Sequence, residues 1–266
     1  MATQLQYRTA LVIWLIGIVL QPVIYLVVWS TVSTSAGGSV GGYSRSDFAG
    51  YFILLMVVNH ATFSWVMYGF DQRVRQGTLS PYLLRPVHLI HSDIAENVSY
   101  KLLTLPVVLI TAVLLGIAFR PHIHPGIAGA VGFVPALLLA LLMRFCVEWT
   151  VSLLAFWTTR ANALNQMYDV ALLFLSGQVA PLSLFPTAVG VVGAILPLRW
   201  MVEFPVELLL GRVGFGQMLI GLAAQACWLV VSLVVLRMLW SVGKPPAESA
   251  SSSSAPSSSA SSINAS

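Results

Sequence analysis

Six stretches of this chain are long, apolar and nearly free of charge, and that pattern excludes a water-soluble fold. The hydrocarbon core of a bilayer is about 30 Å thick, and a helix rising about 1.5 Å per residue needs about 20 apolar residues to cross it. By that measure the predicted spans are Thr9 to Trp29, Phe48 to Phe70, Leu102 to Phe119, Ile127 to about Trp157, Val170 to about Leu184, and Phe215 to Leu236. The third is short. The fourth is long and contains Arg144 and Glu148, and the fifth is broken by Pro181 and Pro186. Only 8% of residues are charged while 58% are hydrophobic, and the mean hydropathy of +0.86 lies far above that of a soluble domain. The fold class is therefore an all-α membrane protein with six transmembrane helices.

Cytoplasmic loops retain an excess of Lys and Arg, and this sets the expected orientation. With the N-terminus inside, the inner side carries Arg8, Arg73, Arg75, Arg85, Lys101, Arg160, Arg237 and Lys244, and the outer side only Arg45, Arg120, Arg199 and Arg212. Both termini are predicted to be cytoplasmic. The first span, followed by small residues at Ala36 to Gly38, is too long for the apolar region of a signal peptide and reads as an uncleaved helix. Cys146 and Cys227 both fall in spans, where thiols act as small hydrophobes, and their spacing suits neither a disulfide framework nor a metal site. The pI of about 9.3 reflects inner-loop basic residues facing anionic membrane lipid and does not indicate a nucleic-acid partner. After Lys244 the sequence collapses to Pro, Ala and Ser, so 244–266 is expected to be a disordered tail beyond a membrane domain over 1–243.

The chemistry of an enzyme is missing. Neither Lys101 nor Lys244 follows a Gly-rich phosphate cradle, so the chain has no nucleotide site of that kind. His122 and His124 lie between Pro121 and Pro125 in an outer turn without further metal ligands. Ser176 precedes Gly177 in the fifth span without a histidine base, which points to packing or a bent helix.

Ionisable residues inside spans carry more weight, because charge in hydrocarbon is costly. Arg144 and Glu148 are four apart, which sets them on one helix face as a pair. A satisfied structural pair and a transport role are both open readings, and with Asp169 the two residues would make the charge relay of a proton- or ion-driven carrier. Asn59 and His60 in the second span can line a polar path or bond between helices.

Two segments interrupt the spans. The loop over 71–101 contains RVRQGTLSPYLLRP, Arg73 to Pro86, in which Gly77 ends a helix and Ser80–Pro81 opens a short one. Beyond it Val87, Ile90, Ile94, Val98 and Leu102 form an apolar stripe, predicting an amphipathic helix along the inner membrane face. Two readings of this loop stand open: a passive interfacial helix whose apolar side sits among the lipid headgroups, or a transmission element in which Leu79, Leu83 and Leu84, rimmed by Arg75 and Arg85, present an apolar knob to the cleft of a soluble partner. On the outer side, Pro181, Pro186, Pro197 and Pro205 divide the chain into pieces too short to cross, which predicts re-entrant helices over 185–214.

These two segments resemble the permease subunits of type-2 ABC exporters. The resemblance covers about Arg8 to Trp240. It rests on Gly77, Thr78, Leu79, Leu84, Arg85 and Pro86; on Ser176–Gly177 with Pro181, Leu182, Ser183, Phe185 and Pro186; and on Pro197, Phe204–Pro205–Val206 and Gly211. It implies a transporter subunit with no ATP site of its own, seated in the inner (plasma) membrane. It further implies pairing with a second permease as a homo- or heterodimer, and separate ATP-binding subunits that hold the ATP and Mg and hydrolyse the nucleotide. On this likeness Arg73, Arg75, Gly77, Thr78, Leu79, Leu83, Leu84, Arg85 and Pro86 form the cytoplasmic coupling helix. Ser176, Gly177, Pro181, Phe185 and Pro186, with Arg144 and Glu148, belong to the gate and translocation path. Relatives of this kind often export drugs or other amphipathic compounds.

Overall fold

The structure is a computed structural model that describes residues 8–77, 89–154, 158 and 161–243. Helix α1 spans Arg8–Ser35 and is followed by a hairpin of two short strands, β1 (Ser39–Val40) and β2 (Tyr43–Ser44). Then come α2 (Arg45–Thr62), α3 (Val66–Arg75), α4 (Leu89–Phe119), α5 (Ile127–Leu153) and α6 (Ala161–Leu175). A 3₁₀ turn at Leu182–Leu184 leads into α7 (Thr187–Ile195), α8 (Pro197–Leu210) and α9 (Phe215–Gly243). Among the described residues three helices are long and apolar enough to cross a membrane, or up to five if each of two bent pairs counts as one span.

Helix α2 is the centre of the bundle. Its start is fixed by a capping box: Asp47 N–H donates to Ser44 Oγ at 3.2 Å, and Ser44 N–H donates to Asp47 Oδ2 at 2.9 Å. Such a cap is worth about 1 kcal/mol. Most of α2 is buried against α1, α4, α5 and α8, with Phe48, Tyr51 and Phe52 fully enclosed. Trp29 stacks on Phe48 at 5.4 Å between ring centroids, and Tyr51 meets Phe52 edge-on at 5.3 Å. Lipid is as apolar as the core, so this packing, and not exclusion of water, holds the helices together.

Three predicted boundaries move. The second predicted span is two helices, α2 and α3, bent by 42° at Phe63–Trp65. The helix in the region of the fifth begins earlier and stops at Leu175, where the Ser176–Gly177 turn ends it. Pro205 does not divide the outer segment. It lies inside α8, buried where neighbouring helices hold the turn, and the break falls at Leu196, giving a 100° bend between α7 and α8.

Helix α4 runs unbroken through Leu89–Phe119, so the predicted amphipathic helix and the third span are one element. Its faces are the reverse of a soluble helix. Ile94, Val98 and Leu102, the predicted stripe, are 44%, 51% and 66% exposed, whereas Asp93 and Thr104 are at most 4% exposed. The polar face turns into the bundle and the apolar face toward lipid.

Candidate functional site

The break between α2 and α3 is built by side chains from α5. A helix that stops inside hydrocarbon leaves carbonyls and N–H groups that must find partners. Arg144 Nη1 donates to Asn59 Oδ1 at 2.8 Å, to Thr62 Oγ1 at 3.0 Å and to the Asn59 carbonyl at 3.3 Å. Arg144 Nε pairs with Glu148 Oε1 at 2.8 Å, and the other oxygen of that carboxylate accepts a hydrogen bond from Ser64 Oγ. The i,i+4 spacing thus places both charges on the face of α5 that meets the break, and both side chains are buried. The pair closes the gap in the α2–α3 hydrogen-bond ladder, which is why a break forms at Phe63–Ser64–Trp65 without proline or glycine. Asp169, on α6, accepts instead from Tyr68 Oη. His60 bonds Thr104 Oγ1 on α4 at 2.9 Å, the interhelical role open to it from the sequence.

Two adjoining clefts open beside this break. One of about 450 Å³ is lined by Gln21, Tyr25, Asn59, His60, Phe63 and Gln178 among others. The other, of about 300 Å³, shares Gln21, Asn59, Phe63 and Gln178 and adds Arg144 and Asp169. Their walls come from α1, α2, α5, α6 and the turn after α6. The amides of Gln21, Asn59 and Gln178, with His60, Arg144 and Asp169, make these walls mixed, polar groups standing beside Pro22, Leu55, Met56 and Leu172.

That turn is anchored on three sides. Gly177 has φ +82°, and a Cβ there would lie 2.5 Å from Tyr51 Oη, so both the backbone and the space require glycine. Tyr51 Oη donates to the Gly177 carbonyl at 2.8 Å, and Trp29 Nε1 donates to the Val179 carbonyl at 2.8 Å. Leu182 N–H donates to Glu203 Oε1 at 2.6 Å, while Arg199 pairs with Glu203 at 3.0 Å and with Glu207 at 3.5 Å. Tyr43 Oη donates to Glu207 Oε1 at 3.2 Å; burial, with Glu207 second, pushes that hydroxyl above its usual pKa and keeps it a donor. Pro181 caps the 3₁₀ turn, Phe185 ends it and Pro186 caps α7. The predicted residues Ser176, Gly177, Pro181, Phe185 and Pro186 therefore share one folded segment, on a different part of the chain from Arg144 and Glu148.

At the opposite end, α3 delivers Arg73 to α4. Arg73 Nη1 donates to Asp93 Oδ1 at 2.6 Å and Nη2 to Glu96 at 3.3 Å, while Trp149 Nε1 of α5 donates to Asp93 Oδ2 at 3.1 Å. Trp149 in turn packs on Phe70 and on Trp240 of α9, at 5.9 and 5.5 Å between centroids. Arg75 pairs with Asp71 at 2.9 Å, and Gly77 sits in the turn after α3. Thr78, Leu79, Leu83, Leu84, Arg85 and Pro86 lie outside the described residues. Gln21, Tyr51, Asp93, Trp149, Gln178 and Glu203 escape a reading of the sequence as site residues, although a polar or ionisable side chain in an apolar span is the signal that marks Gln21.

A helical bundle with three helices long and apolar enough to cross a membrane among the described residues, apolar side chains exposed along them and a few polar groups paired within an apolar core has the build of a multi-pass membrane protein. The chain matches the family model described as ABC-2 family transporter protein over residues 19–251, and it belongs to that family. It is accordingly the membrane-embedded permease component of an ABC transporter and not the ATPase, and membership implies a separate ATP-binding subunit. No curated protein and no solved structure matches the chain.

Proposed function

We propose that this permease forms half of the translocation path of an ATP-driven exporter, the other half coming from a second permease of the same or a related kind. Six membrane passages with both termini cytoplasmic fit the basic-residue bias, the passages being α1, the bent α2–α3 pair, α4, α5, α6 and α9, with the α7–α8 pair re-entrant. The observation that carries the reading is the pair of adjoining clefts lined by Gln21, Asn59 and Gln178. Amides on an open face of a membrane bundle are expensive against lipid and suit a path shared with a partner. An interior that mixes amides with Tyr25 and Phe63 fits an amphipathic substrate such as a drug. ATP and Mg bind on the partner subunit, whose closure moves the 73–86 segment as a lever. The seat of the complex is the inner (plasma) membrane.

Support for an ion-driven carrier is weaker, because both oxygens of Glu148 are engaged by Arg144 and Ser64. Gentle purification from native membranes, followed by mass spectrometry of stoichiometric companions, tests the assembly. The expected result is an ATP-binding subunit with one further permease copy or relative. In vesicles holding that complex, Gln178→Trp should fill the clefts and stop transport while assembly persists, and Leu84→Ala or Arg85→Ala should separate ATP turnover from transport while insertion persists. Transport driven by a pH gradient without nucleotide would replace the exporter reading with the carrier.

A further inference from the structure

At the end of the bundle away from Arg73, α1 and α4 diverge over the first turn of α2 and leave a groove. Two adjoining clefts there, of about 310 and 240 Å³, both take walls from Ser30, Arg45 and Phe119. Arg45 is exposed, and among the described residues no carboxylate comes within ion-pairing distance of it. Its near neighbour Asp47 is committed elsewhere, to Arg212 at 3.6 Å and to the Ser44 cap. The backbone of Arg120, a residue likewise exposed and without an ion pair among the described residues, is held at the first turn of α2, where Ser46 Oγ donates to its carbonyl at 3.3 Å and accepts from His122 N–H at 2.9 Å. Ser30, in the wall of both clefts, is 5% exposed, and its hydroxyl has no hydrogen-bond partner among the described residues. Val27, at 49% exposure, and Phe119 give the larger cleft its apolar wall, beside the hydroxyl residues Thr31, Thr34 and Ser35, and Ala49 and Ala118 continue that apolar wall in the smaller one.

A guanidinium without an ion pair among the described residues in the wall of a groove with an apolar side, and a second arginine held nearby at the end of α4, match a ligand with an anionic head and a hydrocarbon tail. From this geometry we infer that Arg45 and Arg120 bind the phosphate of an anionic phospholipid, with one acyl chain lying in the α1–α4 groove. Guanidinium donors pair with phosphate in charge-assisted, often bidentate hydrogen bonds, and two cations favour a head with net negative charge over a zwitterionic one. A neighbouring protein copy would need to present both an anionic group and an aliphatic segment at this spot, whereas the lipid supplies a phosphate and an acyl chain in one molecule. The inference stands apart from the transport reading, because its assay needs no partner subunit.

The test is native mass spectrometry of the purified full chain, titrated separately with phosphatidylglycerol, with phosphatidylcholine of the same acyl chains, and with inorganic phosphate. Phosphatidylglycerol should be retained preferentially, and Arg45→Gln with Arg120→Gln should weaken it by about tenfold or more, as expected for loss of charge-assisted bonds. Arg237→Gln, which removes an exposed charge on α9, should leave retention unchanged. Val27→Trp, at an exposed position, should block the groove and reduce retention with both arginines in place. Equal retention of the two lipids, or of phosphatidylglycerol by the double variant and wild type, overturns the inference. Full displacement of the lipid by inorganic phosphate also overturns it and leaves a free-anion site.

Discussion

Arg73 and Asp93 meet at 2.6 Å across α3 and α4, with the Asp93 side chain 3% exposed. The contact ties the root of the 73–86 segment to the interior, because the same carboxylate holds Trp149 of α5. Asp93→Ala should cost about 1–3 kcal/mol by leaving Trp149 Nε1 without its acceptor and Arg73 without its buried carboxylate, the guanidinium keeping the more exposed Glu96. Asp93→Asn, which keeps an acceptor for Trp149, should cost less. Thermal unfolding in detergent, followed by the monodisperse fraction, reads both; equal melting of wild type and the alanine variant would remove the tie.

Arg144 and Glu148 make a parallel case with a different expected pattern. Arg144→Ala leaves the buried Glu148 without its counter-charge and removes the donor to the Asn59 and Thr62 oxygens, so a loss of about 3–5 kcal/mol is expected. Replacing both together, as Arg144→Met with Glu148→Leu, removes the stranded charge and should destabilise by much less than the two single changes summed. Additive single and double variants would contradict the account of the break.

Gly177→Ala probes the turn after α6. Left-handed backbone alone costs a non-glycine residue about 1–2 kcal/mol, and the Tyr51 hydroxyl stands in the way. Tyr51→Phe should recover part of the loss by removing the obstructing oxygen. Melting temperatures of the two single variants and the double give the answer, and no recovery would mean that backbone strain is the whole effect.

Ser64→Ala offers a milder test at the same break. It removes one of two partners of the Glu148 carboxylate without changing backbone chemistry, and about 1–3 kcal/mol should be lost. Ser64→Thr, which keeps the hydroxyl, should retain most of the stability, and if both variants melt together the hydroxyl has no role.

The helical class, the membrane setting and the outer punctuation at Pro181, Pro186 and Pro197 were legible because they are local properties of composition and backbone chemistry. So was the facing of Arg144 and Glu148, which follows from helical period alone. The break at Phe63–Trp65 was not legible, because its cause lies 85 residues away on α5. The apolar window past Leu175 concealed the end of α6, where Gly177 and Tyr51 outweigh hydropathy. On α4 the stripe Ile94, Val98 and Leu102 was visible, but the direction it faces depends on Asp93 having Arg73 and Trp149 to meet.

Gly129 on α5 lies so close to α8 that a Cβ would stand 2.2 Å from the Leu208 carbonyl oxygen. Helices in backbone contact interlock and cannot slide past each other without first separating. The α5–α8 pair, joined by α9, which packs along α5, should therefore move as one unit. Displacement during a transport cycle is then expected in α1, α3 and α6. A cross-link between α5 and α8 should leave the cycle running, whereas one between α1 and α6 should stall it.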